Sequence, residues 1–251
     1  LQVIVSGIAT GCIYSLMALG LTLIYKSTEH VNFAQGEMSM ISGFIAFTCF
    51  QLFRFPLVPS LLLALLSSVG LGLLMERLLV RPAITASHFN IFIITLGASI
   101  VMQSFAGLVW SYDQFPFPAL FPKKSITLGN IRMDTVSLGI IATTALLMVL
   151  LFLFFKYTKV GIGMRAVSQS QNAALLMGIS VKRSFALTWA ISGFISGIAA
   201  LLIAPVIFLS TRMGLVVING FAAGILGGWG SIPGAVLGGI GLGILENVAP
   251  Y

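Results

Sequence analysis

The sequence is a succession of apolar runs, each about as long as a bilayer is thick, and few folds accommodate that pattern. Crossing roughly 30 Å of hydrocarbon takes about 20 apolar residues in a helix. In lipid, only helices and closed barrels satisfy their own backbone polar groups. The runs fall at about 2–25, 37–53, 57–75, 89–111, 135–155, 185–204, 214–229 and 232–249. They predict an all-α, polytopic integral membrane protein with about eight transmembrane or partly re-entrant helices, forming one membrane domain over residues 1–251. The second run is short and polar at its start. The last two are interrupted by Gly227-Gly228-Trp229-Gly230-Ser231-Ile232-Pro233-Gly234. With only 8% charged residues and a mean hydropathy of +1.09, the chain lacks the polar surface of a water-soluble protein. Its N-terminal run has no basic n-region and is long enough to span, so it reads as a helix and not as a cleavable signal.

The net charge of +7 raises the question of nucleic acid, but the bases sit at the ends of apolar runs and read as membrane-flanking charge. No nucleic-acid partner is expected; the surrounding partner is membrane lipid. One side collects Lys26, Arg77, Arg81, Lys156, Lys159, Arg165, Lys182 and Arg183, eight bases; the other collects Arg54, Lys123, Lys124, Arg132 and Arg212, five. The excess of Lys and Arg marks the cytoplasmic side. It predicts that the 156–184 segment is a cytoplasmic loop and that 112–134 lies outside. The outer loop carries Tyr112, Phe115, Pro116, Phe117, Pro118, Phe121 and Pro122, which suits a compact interfacial cap or ordinary interface anchoring. Cys12 and Cys49 lie inside apolar stretches and read as small buried hydrophobes.

Small residues four apart let helices approach closely in lipid. Gly7 with Gly11, Gly193 with Gly197, Gly220 with Gly224, Gly234 with Gly238 and Gly239 with Gly243 have that spacing. Gly7-Ile8-Ala9-Thr10-Gly11 also echoes Gly220-Phe221-Ala222-Ala223-Gly224, either a trace of the repeats common in transporters or chance in a Gly- and Ala-rich chain.

Polar residues inside a membrane are costly and usually line a pathway or pair with one another. Asn32-Phe33-Ala34-Gln35-Gly36-Glu37 breaks the apolar pattern just before the short second run. It reads either as an unwound turn along a substrate path, with Asn32, Gln35, Gly36 and Glu37 as its residues, or as a cytoplasmic turn with Glu37 at a helix N-terminus. The break at Gly228, Gly230, Ser231 and Pro233 reads either as a pair of half-helices beside that path or as a tight turn. Glu246 and Asn247 leave open an ion pair with a partner, a cap or interfacial exposure. His30 and His88 stand apart from any metal-spaced ligand, and Gly161-Ile162-Gly163 is too short for a dinucleotide fingerprint. No metal, cofactor or catalytic set is expected on this chain. It contains no G-x-x-x-x-G-K-[ST] motif, so it is not expected to be an enzyme; ATP and magnesium, if they drive it, belong to another subunit.

Three stretches carry a family resemblance. The first is Gly7 to Tyr25 followed by Val31-Asn32-Phe33-Ala34-Gln35-Gly36-Glu37. The second is Gly163-Met164-Arg165-Ala166 with Ala173-Ala174 and Gly178-Ile179. The third runs from Gly227 to Gly239 and ends at Leu245-Glu246-Asn247. In order and extent they resemble the permeases of branched-chain amino-acid ABC importers, and within them the LivH-type subunit. The resemblance implies a permease of the bacterial cytoplasmic (inner) membrane that passes branched-chain or other apolar amino acids. It also implies pairing with a second related permease, two cytoplasmic ATPase subunits and an extracytoplasmic substrate-binding protein. Gly163, Arg165, Ala166, Ala173, Ala174, Gly178 and Ile179 would belong to the coupling helix that meets an ATPase, one helix over about 165–177. A further apolar span and a short tail are expected beyond Tyr251. Relatives of the same type that carry urea, amides or small aromatic acids, and a stand-alone secondary transporter, are the rival readings.

Overall fold

The computed structural model describes residues 2–83, 88–118, 120–121, 125–128 and 131–249. Pro122, Lys123 and Lys124 lie outside the described residues, as do the side chains of His88 and Arg132. Each of the eight apolar runs is helical: α1 (Gln2–Thr28), α2 (Gln35–Phe47), α3 (Leu57–Leu74), α4 (His88–Trp110), α5 (Thr135–Tyr157), α8 (Val181–Ile207), α9 (Val216–Leu226) and α10 (Ile232–Val248). A π-helical turn at Thr48–Leu52 prolongs α2. Another at Met75–Val80, with a 3-10 turn at Arg81–Ala83, prolongs α3. Among the described residues, five helices are long and apolar enough to cross a membrane: Val3–Thr28, Leu57–Ala83, Phe89–Trp110, Thr135–Tyr157 and Val181–Ile207. The chain is a multi-pass membrane protein. In the basic loop lie α6 (Lys159–Gln169) and α7 (Gln171–Leu176). The segment between α4 and α5 holds an antiparallel hairpin of β1 (Ser125–Leu128) and β2 (Ile131–Asp134).

Two helices form the centre. The most apolar stretches of α1 and α8 are 67% and 61% buried, against 22–28% for those of α3, α4 and α5, which keep most of their surface for lipid. Along the central seam, α1 and α10 run antiparallel and, at Gly7 and Gly11, in backbone contact. A Cβ on Gly11 would sit 2.6 Å from Ile240 Cα and 2.7 Å from Gly239 O, and one on Gly7 would sit 2.8 Å from Ile244 Cα. Such contact is the packing that small residues permit where lipid supplies no hydrophobic driving force. Ser15 Oγ donates to Val236 O at 2.9 Å, and Tyr14 OH donates to Glu246 Oε2 at 2.6 Å. Glu246 thus has its partner on α1, while the residue itself stays exposed. Gly11→Leu is expected to force α1 from α10 at a cost of about 1–3 kcal/mol, as overpacking does, and to lower the thermal midpoint of the purified protein by several degrees. Gly70→Leu, at a position with nothing within 4 Å of a Cβ, is the comparison that should leave it unmoved.

α2 and α9 do not cross the bundle; each begins inside it. After α1, Glu29 takes φ 60 and residues 30–34 turn back, so that Gln35 opens α2 beside Gly20, Ser192 and Ser196, at mid-height of α1 and α8. From there α2 runs toward the end that holds Thr48 and Trp110, whose Nε1 donates to Thr48 Oγ1 at 2.7 Å. After α8, Phe208 takes φ 63. Leu209 bonds both ways with the backbone of Phe115, and residues 210–215 descend to the start of α9, which packs through Gly220 on Met17. α9 then runs to the opposite end, where Trp229 meets Tyr25. The two half-helices enter from opposite ends and point in opposite directions, the inverted arrangement found at transporter midplanes. The Gly7–Gly11 and Gly220–Gly224 echo does not mark this relation, since the first pair packs on α10 and the second on α1 and Trp229.

Candidate functional site: two half-helices meeting inside the bundle

The first turns of α2 and α9 touch. A Cβ on Gly36 would run into the carbonyl oxygen of Gly214 and lie 3.0 Å from Val217 Cβ. Gly36 thus sits in helical backbone and not in an unwound turn, and it is small because the other half-helix arrives there. The unwound residues are those just before, and their polar groups are spent on holding them. Asn32 Nδ2 donates to Gln35 Oε1 at 3.1 Å, and Asn32 Oδ1 accepts from Ala34 N at 3.1 Å. Gln35 Nε2 donates to Ser192 O at 3.2 Å and to Ser196 Oγ. Its Oε1 accepts from Ser192 Oγ at 3.0 Å, and both side chains are fully buried. Buried amides with complete partners rigidify a turn and specify its place. Asn32 and Gln35 therefore hold the turn in place and have little left to offer a ligand.

Glu37 is different. It lies in the first turn of α2, is 8% exposed, and its Oε2 has no hydrogen-bond partner. A Cβ on Gly214 would lie 3.0 Å from its Oε1, so the carboxyl stands where two helix N-termini converge. Unpaired N–H groups and the helix dipoles favour negative charge at such a place.

Beside the crossing is an apolar cavity of about 130 Å³, lined by Leu21, Val31, Asn32, Phe33, Val217, Ile218 and Phe221. A row of aromatic rings leads away from it. Phe33 contacts Phe92 at 4.8 Å and Phe221 at 5.7 Å; Phe221 meets Trp229 at 4.8 Å, and Trp229 meets Tyr25 at 5.4 Å. The row ends at an open cleft of about 400 Å³ lined by Tyr25, Lys26, Glu29 and Gly230.

The Gly227–Gly234 break is the turn between α9 and α10. Gly228 and Gly230 take φ 90 and 89, Ser231 Oγ accepts from Gly234 N at 3.1 Å as an N-cap, and Pro233 stands in the first turn of α10, where its missing N–H costs nothing. Of the two arrangements open in the sequence, the structure takes the tight turn. The half-helix break lies instead at 208–215, signalled in the sequence only by Ser210-Thr211-Arg212 ahead of Met213-Gly214. Of Gly228, Gly230, Ser231 and Pro233, Gly230 lines the cleft at the end of the aromatic row and Pro233 lines a groove beside α1 and α5; none of the four lines the cavity at the crossing.

The basic loop also departs from a single helix over 165–177. Ser170 is extended (φ −160) and caps α7, accepting from Ala173 N, so α6 and α7 are separate. Gly178 ends α7 at φ 77: its N–H reaches Leu175 O at 3.0 Å, and that of Ile179 reaches Ala174 O at 2.9 Å. This is the Schellman closure that a left-handed glycine permits. Ala174 is buried with Val167 and Phe185, Gly163 faces Ile179 and Ala166 is half-buried. Ala173 is exposed, and Leu176 and Met177, which the sequence reading passed over, are 89% and 81% exposed. Arg165 points the other way, into a groove against the membrane helices.

A multi-pass helical bundle with inverted half-helices meeting at mid-depth is the architecture of a membrane permease. Residues 3–251 match the family described as branched-chain amino acid transport system / permease component, and the chain belongs to that family. It is 30% identical over 260 residues to the high-affinity branched-chain amino acid transport system permease protein BraD of Pseudomonas aeruginosa, covering 98% of this chain and 85% of that one. LivH of Escherichia coli, of the same description, is 30% identical over 264 residues, 99% and 85% of the two chains. The probable branched-chain amino acid transport permease protein LivH of Methanocaldococcus jannaschii is 31% identical over 247 residues, 94% and 76%. No solved structure matches the chain.

Proposed function

We propose that this chain is a transmembrane permease subunit of an ATP-binding-cassette importer in the cytoplasmic membrane, passing branched-chain or other apolar amino acids delivered by an external binding protein. Membership of the permease family carries this reading. The apolar cavity at the crossing supports it, because an aliphatic side chain would lie against Val31, Phe33, Val217 and Phe221 while a charged one would find no partner there. The crossing and the aromatic row form the path, with Glu37 supplying a buried carboxyl beside it. The chain pairs with a second related permease. ATP and magnesium are bound by two cytoplasmic ATPase subunits, which dock on the α7 tip around Ala173, Leu176 and Met177. Copurification from native membranes is the experiment: an ATPase chain should accompany the tagged protein in stoichiometric amount, and its absence from a stable preparation would reject the importer assignment.

The orientation follows from the distribution of basic residues and is tested separately. In a background lacking Cys12 and Cys49, cysteines replacing Ser125 and Ser170 should label from opposite sides. An impermeant maleimide should reach position 125 in intact spheroplasts and position 170 only after lysis. Labelling of both from outside would invert the scheme.

A further inference from the structure

Between α1, α5, α6 and α10 runs a groove of about 680 Å³. Its walls are apolar, chiefly Leu23, Leu151, Phe152, Val236 and Leu237, and it extends along α1 from Leu19 to Lys26, roughly 10 Å at the helical rise. At one end stand Lys26, Lys156 and Arg165. That end opens into a smaller pocket of about 60 Å³, which shares Lys26 and Arg165 and adds the hydroxyls of Ser27, Ser168 and Thr188. Ser27 and Thr188 are hydrogen-bonded to each other at 3.1 Å. The Lys156 ammonium lies 5.3 Å from the Phe152 ring centre and 5.2 Å from that of Tyr157, the posture of a base that keeps its stem in apolar surroundings and its head at the interface. Among the described residues, no acidic one lines either space. The acid closest along the chain, Glu29, lines the separate cleft that Lys26 shares with Tyr25 and Gly230.

An apolar trough closed at one end by three cations and three hydroxyls matches one kind of molecule, an amphiphile with an anionic, hydrogen-bond-accepting head. We propose that this groove binds an anionic phospholipid, its phosphodiester between Lys26 and Arg165 and an acyl chain along Leu23, Leu151 and Leu237. Basic pockets between membrane helices at the cytoplasmic face are suited to such headgroups. The lipid would bridge α6 to the bundle, because Arg165 comes from the basic loop and Lys26 from the central helix. The site is independent of the substrate that the permease passes.

The test is a lipid titration of the purified full chain in mild detergent, read by native mass spectrometry, with phosphatidylglycerol and phosphatidylcholine of identical acyl chains. Phosphatidylglycerol should bind preferentially. Each basic residue near an anionic headgroup contributes about five-fold in affinity, so Lys26→Gln with Arg165→Gln should weaken phosphatidylglycerol roughly twenty-fold or more and leave phosphatidylcholine where it was. Leu237→Trp, which fills the apolar wall without touching a charge, should also weaken phosphatidylglycerol, and glycerol phosphate without acyl chains should not displace it. Equal binding of the two lipids, an unchanged double variant, or displacement by the chainless headgroup would overturn the proposal. A photo-crosslinker at position 237 that captures a protein subunit in place of lipid would overturn it as well.

Discussion

Gly36→Ala is expected to reduce uptake by about five-fold to a hundred-fold, although it adds a single methyl group. The added carbon would meet the Gly214 carbonyl oxygen, which is backbone and has no rotamer to turn away. The two half-helices must then separate. Overpacking of this kind costs about 1–3 kcal/mol, and each 1.4 kcal/mol is about a factor of ten in the population of the intact crossing. Gly214→Ala is expected to do less, because its Cβ would meet the movable Glu37 carboxyl at 3.0 Å. Gly97→Ala, with nothing within 4 Å, should transport normally. Uptake of radiolabelled leucine per unit of extracted protein measures all three. Wild-type uptake by Gly36→Ala would show that the crossing is not on the path.

The second large effect is expected at the α7 tip. Leu176→Asp with Met177→Asp should abolish ATPase association, since well-packed interface anchors are commonly worth 2 kcal/mol or more each and these two side chains have almost no contacts within the chain. Gly178→Val should weaken the same association by another route: a β-branched residue at φ 77 carries roughly 1–3 kcal/mol of backbone strain and would undo the closure that aims the tip. Ala173→Glu, exposed on the same turn, adds a charge to the docking face. The membrane helices should be extracted in normal amount in each case. Normal copurification ratios for the double variant and for Gly178→Val would make the loop a mere connection.

The spans were legible because hydrophobic length is a one-dimensional property, and α1, α3, α4, α5 and α8 follow their apolar runs closely. Glycines that let helices touch were legible as a class from their spacing, but their partners were not: nothing near Gly36 in the chain points to Gly214. The start of α2 was visible because Asn32, Gln35 and Glu37 interrupt an apolar pattern. The start of α9 was hidden because Met213, Leu215, Val216 and Val217 continue one, and Ser210-Thr211-Arg212 resembles an ordinary loop. The conspicuous Gly-Gly-Trp-Gly-Ser run admits a half-helix pair or a tight turn in sequence, and two left-handed glycines with a Ser cap make it the turn. In the basic loop, Ser170 reads equally as a helix residue or as an N-cap, and only the packing of Ala174 on Val167 and Phe185 decides for the cap. The outward faces of Leu176 and Met177 carry no signal in a chain where most residues are apolar.

That this chain is the membrane path of an ATP-driven importer is tested most directly by reconstitution with its copurifying partners in proteoliposomes. Uptake of leucine should require ATP on the ATPase side and should persist when an ionophore collapses the proton gradient while ATP is maintained. Uptake by this chain alone, without ATP and driven by an imposed ion gradient, would contradict the account.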